Sequence, residues 1–245
     1  MAVLSKGQIL DRLNLPITNN SSLVISPLLQ ARAAFDADSV DLRLGTHFLL
    51  PRTLPRPFFY PGSKSSKLGH QRVHVPLGHY LVVSAHETVL GATLEFVKLP
   101  FDVSGQILTK SSVARTFVVI ETAPWIHPEY RGCLTLEIAN VSNTPLLLYP
   151  GRLVAQLILF DVPKAKPSSK QSGTYLGPVY PEAPSFREPK QDLAMIGVPA
   201  ERFQKPMQKP RHEPPERCSE CLAKIVRPAT RCASCNSSIP PNPPD

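Results

Sequence analysis

Leu134-Thr135-Leu136-Glu137-Ile138 alternates apolar and polar side chains. In an extended strand, successive side chains point to opposite faces. Leu134, Leu136 and Ile138 then share one face, while Thr135 and Glu137 share the other. With the apolar face packed inward, Glu137 stands on a second surface. That surface is either open to solvent or the wall of a cleft, and alternation alone favours the solvent-facing glutamate.

The same short-period pattern extends outward along the chain. Apolar or alternating runs occur at Ser22–Ile25, Val40–Leu50, Tyr80–Ser84, Thr88–Leu99, Phe117–Glu121, Cys133–Ile138, Leu146–Tyr149 and Leu153–Phe160. Pro, Gly, Asn and Ser separate them. Many short strands with turn residues between them point to a mostly β sandwich or barrel. One helix is expected, over residues 7–13, where Ile9, Leu10 and Leu13 form a short amphipathic pattern.

The chain has 245 residues, enough for one sizeable core and an appendage. Its formal charge is +8, with 14 Lys/Arg against 10 Asp/Glu in residues 1–160 and 13 against 9 in the rest. This even spread suits anionic ligands but gives no clustered stripe of the kind that grips DNA. No run approaches the length of a membrane span, and residues 1–6 lack the charged-then-apolar order of an export signal. The expectation is a soluble, cytoplasmic protein. Beyond about residue 162 the composition changes, and 16 of the 28 prolines lie at or after Pro163. The expected organisation is a β domain over 1–162, a proline-rich linker over 163–216, a cysteine module over 217–237 and a disordered end over 238–245.

Lys110-Ser111-Ser112-Val113-Ala114-Arg115 places two cations around two hydroxyls within six residues. Cations, hydroxyls and backbone amides together are what a polyphosphate requires. A polar loop after a strand is the plainer reading of the spacing. The glycine pattern of a Walker loop is missing.

Motif order decides between these readings. Ser39-Val40-Asp41-Leu42-Arg43-Leu44-Gly45 comes first, then Thr93-Leu94-Glu95-Phe96-Val97-Lys98-Leu99-Pro100, then the Lys110–Arg115 stretch. Ile126-His127-Pro128-Glu129-Tyr130-Arg131-Gly132-Cys133-Leu134-Thr135-Leu136-Glu137 and Tyr149-Pro150-Gly151-Arg152-Leu153-Val154-Ala155-Gln156-Leu157 complete the series. In this order and spacing, from about residue 4 to 187, the chain resembles the dCTP deaminase branch of the dUTPase superfamily.

The resemblance implies a dUTPase-like β-barrel or distorted jelly roll, assembled as a homotrimer with active sites between subunits. It implies that a deoxynucleoside triphosphate, with Mg²⁺, sits on Lys110, Ser111, Ser112, Val113, Ala114 and Arg115. Glu137 would be the general base that activates water for attack on C4 of cytosine, without zinc at the reacting centre, converting dCTP or a related dNTP to dUTP, with pyrophosphate release as an open further step. Thr122 and Ala123 would line the base pocket by their backbone. His127, Thr135, Leu136, Gln156 and Tyr175 fall at further nucleotide-contacting positions. The family pattern has Gly-Arg where this chain has Thr109-Lys110, an arginine at Trp125 and an aspartate at His127. Trp125 either stacks on a base in place of the arginine or packs in the core. Two other functions stay open: a dUTPase-like pyrophosphatase, and a non-catalytic nucleotide-binding regulator.

Cys218-Ser219-Glu220-Cys221 and Cys232-Ala233-Ser234-Cys235 are two CxxC pairs ten residues apart. Four thiolates so spaced suit a tetrahedral structural Zn²⁺ in a small zinc ribbon. Its role is either to fold a short tail or to reach a protein or nucleic-acid partner, the latter permitted by Arg217, Lys224, Arg227 and Arg231. His127-Pro128-Glu129 mimics the start of a zinc-deaminase signature, but neither CxxC follows a proline and the gap crosses the linker. Cys133, the fifth cysteine, reads as a small buried hydrophobe. The His70–His79 stretch, with its Pro and Gly, reads as surface loop.

Overall fold

The computed structural model describes residues 2–29, 38–52, 69–120, 123–163 and 177–185. The expected zinc ribbon, linker and C-terminal end lie outside these residues, apart from Pro163 and 177–185. The chain forms two compact units, Met1–Phe48 with Val73–Glu182, and Leu49–Arg72 with Ala183–Asp245.

The helix α1 spans Lys6–Leu13. Ser5 and Gln8 cap it reciprocally, each side chain meeting the other's backbone amide. Ile9 is fully buried, and Arg12 bonds Asp102 at 2.8 Å. The strands in chain order are β1 (Val24–Ser26), β2 (Ser39–Arg43), β3 (His47–Pro51), β4 (His70–His74), β5 (Leu81–Val83), β6 (Thr88–Lys98), β7 (Val103–Thr109), β8 (Val118–Ile120), β9 (Trp125–Ile126), β10 (Arg131–Asn140), β11 (Leu146–Leu148) and β12 (Leu153–Asp161). A single turn of helix, α2 (Ser111–Ala114), follows β7.

In the first unit, β10 pairs antiparallel with β6 along most of its length, and β1 also pairs with β6. β8 pairs with the far end of β10. A second sheet runs β2-β12-β7-β9, and β5 pairs with β11 in a third. Its core-facing residues include Leu42, Leu44, Val97, Leu136, Ile138, Leu157 and Leu159, all at most 1% exposed. The mostly β body is thus as expected, but the described strands form separate sheets rather than one closed ladder.

The run Val40–Leu50 is two strands, not one. Gly45 breaks it: its amide bonds Ala92 O at 2.7 Å, and a Cβ there would stand 2.9 Å from that oxygen. In the second unit, Arg52 N–H bonds Gly69 O at 2.8 Å beside the strand residues His70–Arg72. The loop expected over His70–His79 therefore holds only after His74. Backbone pairing overrides its weak apolar pattern.

Candidate nucleotide site

The strand β10 carries Glu137 in the orientation that alternation implies. Leu134, Leu136 and Ile138 are 6%, 0% and 1% exposed, whereas Glu137 is solvent-exposed and Thr135 half-buried. Glu137 lies opposite Leu90 of β6. On the other edge, β8 pairs only with Ile138–Asn140. At the near end a strap, residues 177–182, lies along the same edge. Gly177 N–H bonds Arg131 O at 2.6 Å, Cys133 N–H bonds Pro178 O at 2.7 Å, and Glu182 N–H meets Thr135 Oγ1 at 3.3 Å. Tyr180 in the strap packs on His47, ring centroids 4.3 Å apart. Glu137 stands between strap and β8.

The cationic stretch leaves β7 at Thr109. The amides of Val113 and Ala114 bond Lys110 O at 2.8 and 2.9 Å, which closes the turn of α2. Ser111 and Ser112, the first two helical residues, precede those bonds, so their amides and hydroxyls remain available at an exposed surface. Arg115 is exposed too. Lys110 Nζ donates to the carboxylate of Asp41. Asp41 on β2 lies opposite Gln156 on β12, which lies opposite Leu108 on β7. Lys110, Asp41 and Gln156 thus come to one face of the second sheet. Asp41 is 7% exposed, and its Oδ1 is buried with no hydrogen-bond partner among the described residues.

Thr109 links these two halves. Its hydroxyl accepts the Ile120 N–H at 2.9 Å and lies 3.4 Å from Ile120 O. Ile120 faces Ile138, the neighbour of Glu137. Ala123 is exposed.

The remaining expected residues distribute as follows. Leu136 is fully buried, so only its backbone can face a ligand. His127 is exposed in the turn after β9, its carbonyl accepting the Tyr130 amide at 3.3 Å. Trp125 lies opposite Gln106 on the second sheet, with its ring 5.6 Å from that of Phe160. Thr122, Tyr175, Cys218, Cys221, Cys232 and Cys235 lie outside the described residues. Cys133 is buried, as expected, and burial pushes its thiol up.

Two groups had no signal as site residues in the sequence, Asp41 and Thr109. Each acts through a strand register that spacing does not reveal. A third, Glu95, is a buried carboxyl on β6 that takes the Arg43 N–H at 2.8 Å. Burial pushes it up to about 7, against the Arg43 amide, which pulls the other way.

Residues 3–162 match the family described as dCTP deaminase-like. A dCTP deaminase of Halorubrum lacusprofundi is 33% identical over 177 residues, covering 70% of this chain and 84% of that protein. A dUMP-forming dCTP deaminase of Methanobrevibacter smithii is 30% identical over 191 residues, covering 75% of this chain and 94% of that protein. Among solved structures, the 2′-deoxycytidine 5′-triphosphate deaminase from Agrobacterium tumefaciens aligns with a TM-score of 0.49 at 23% identity. That alignment covers 64% of this chain and 47% of that one.

Proposed function

The chain belongs to the dCTP deaminase-like family, and we propose that it hydrolyses the exocyclic amine of dCTP, with Glu137 as general base. The observation that carries this reading is the Thr109–Ile120–Ile138 connection, which sets the cationic turn and the Glu137 carboxylate on adjoining elements. The turn offers hydroxyls, amides and the charges of Lys110 and Arg115 to a triphosphate. Glu137, on the polar face of a strand anchored by Leu136 and Ile138, takes a proton from water as that water attacks C4. The proton is then available to the departing amine, so dUTP and ammonia result. Ala123, His127, Thr135, Gln156 and Tyr175 complete the nucleotide site in this proposal.

Mg²⁺ would travel with the triphosphate. Among the described residues no group of three or more His, Cys, Asp or Glu forms a metal cage. The ion would be held chiefly by phosphate oxygens, and Asp41 Oδ1 is one buried protein oxygen that has no hydrogen-bond partner among the described residues. The ion would neutralise phosphate charge.

A homotrimer follows in the same reading. The outward face of the second sheet exposes Leu108 and Trp125 at 40% each, and Val3, bridged to Phe160, at 45%. Apolar residues gathered on one sheet face favour cover by another subunit. The buried Ser104 Oγ on that face also lacks a partner among the described residues. The four C-terminal cysteines are proposed as a separate Zn²⁺ ribbon that binds a protein or nucleic acid.

The test is incubation of purified full-length chain with each dNTP and Mg²⁺, reading base and phosphate products separately. Ammonia from dCTP that disappears in Glu137→Gln supports the proposal. Pyrophosphate release without deamination would replace it with a pyrophosphatase, and binding without any turnover with a regulator.

A further inference from the structure

Thr109 is the last residue of β7 and sits in register with Ala155 of β12, within the second sheet. Ile120 is the last residue of β8 and sits in register with Ile138 of β10, within the other large sheet. Yet the Thr109 hydroxyl meets both backbone groups of Ile120, the N–H at 2.9 Å and the C=O at 3.4 Å. One side chain thus substitutes for a backbone ladder between two sheets. It does so where the cationic turn begins on one side and Glu137 follows on the other.

We propose that Thr109 is a positioning residue: its hydroxyl, bound to Ile120, fixes the triphosphate turn relative to the strand that carries Glu137. The inference rests on the deaminase reading above for its kinetic consequence, though not for the contact itself. The turn between the two sites, Arg115–Phe117, is bonded back to α2, its three amides meeting Ser111 O, Val113 O and Ala114 O at 3.2, 2.9 and 3.0 Å, and so moves with the cationic turn. Its residues are exposed, and Phe117 holds a left-handed φ of 61°. Such a backbone conformation persists only where the surroundings impose it. Beyond those bonds to α2, the Thr109 contact to Ile120 and the Val141 N–H bond to Phe117 O at 3.0 Å tie this connection to β8 and to the residue after β10. A carboxylate must lie within hydrogen-bond reach of the water it activates. A phosphate seat that drifts against that carboxylate leaves binding intact and misplaces C4.

The test compares wild type with Thr109→Val and Thr109→Ser, all full-length. In Thr109→Val, kcat for dCTP should fall about tenfold to a hundredfold while KM moves less than about threefold, the signature of misplacement rather than lost binding. The Ile120 amide should exchange with solvent at least about tenfold faster. Thr109→Ser, which keeps the hydroxyl, should restore both. Unchanged kcat and unchanged Ile120 exchange in Thr109→Val would overturn the proposal. So would a loss that Thr109→Ser fails to restore. If the wild type binds dCTP but does not turn it over, the deaminase reading falls by itself. Ile120 exchange then decides the positioning claim: protection lost in valine and kept in serine upholds it, and equal protection in all three overturns it.

Discussion

The carboxylate of Asp41 accepts a hydrogen bond from Lys110 Nζ, joining the edge strand β2 to the turn that follows β7. Asp41 is nearly buried, while a quarter of the Lys110 side chain remains exposed. An ammonium carries three donors on a compact charge. Lys110 can hold Asp41 with one and a phosphate oxygen with another, so the pair aims the cation rather than consuming it.

Replacing Lys110 should therefore act on binding first. Lys110→Met is expected to raise KM for dCTP about tenfold with kcat within about threefold, the loss of one charge-assisted contact. It also leaves Asp41 without its counter-charge, which should cost about 1–3 kcal/mol of stability. Adding Asp41→Asn should return part of that stability and none of the KM. Steady-state kinetics and thermal melts check both. An unmoved KM would make Lys110 a structural partner of Asp41 alone.

Glu95 makes stability depend on pH in a definite direction. Its carboxyl keeps its proton up to about pH 7 in the folded chain, against a reference value of 4.5. Between those values the folded state binds more protons than the unfolded, so stability falls as pH rises through the window. The benefit is full below about 4.5 and lost above about 7. The magnitude is at most about 3.5 kcal/mol, at about 1.4 kcal/mol per pKa unit. Glu95→Gln keeps an acceptor for the Arg43 amide and removes the titration. Its melting temperature should exceed wild type by about 5 °C at pH 8 and converge with it near pH 5. Parallel melting curves across that range would refute the assignment.

Legibility in the sequence followed whether a feature was local. β10 and β12 show in the bare sequence because alternation is unbroken from Leu134 to Ile138 and because Leu153 to Phe160 is an apolar run broken only by Gln156. β7 was missed because Ser104-Gly105 interrupts its apolar run. Gly105 faces the core, where a Cβ would stand 3.0 Å from Leu157 Cδ1. Lys110, Ser111, Ser112 and Arg115 were visible as a cluster because they are sequence neighbours. Asp41 and Thr109 were not. Asp41 reaches Lys110 across 69 residues, and Thr109 reaches Ile120 across two sheets. Those contacts exist only once strand register is fixed, and register is set by packing.

The cysteine module gives a prediction independent of the fold. Two CxxC pairs should bind one Zn²⁺ per chain, with all four thiols protected from alkylation until a chelator removes the metal. Metal analysis of the full-length chain and thiol titration with and without chelator test it. Cys133, buried with its thiol pushed up by burial, should stay unreactive in both. A metal-free chain with four freely alkylated thiols would refute the ribbon.

Gly132 lies against the strap beside β10. Its φ of +145° is one that side-chain-bearing residues rarely adopt, and a Cβ there would fall 2.4 Å from Pro178 Cδ and 2.9 Å from Pro178 O. Pro178 is buried, and its carbonyl takes the Cys133 amide. Gly132→Ala must therefore either strain β10, at about 1–3 kcal/mol, or displace the strap. Displacement is the easier outcome, because few bonds hold the strap while β10 is paired along β6. The Cys133 amide should then exchange at least about tenfold faster, while Leu136 and Ile138, deep in the ladder, keep their protection. Uniform loss of protection along β10 would show instead that the strand itself yields. Unchanged exchange at Cys133 would show that the strap contact does not hold in solution.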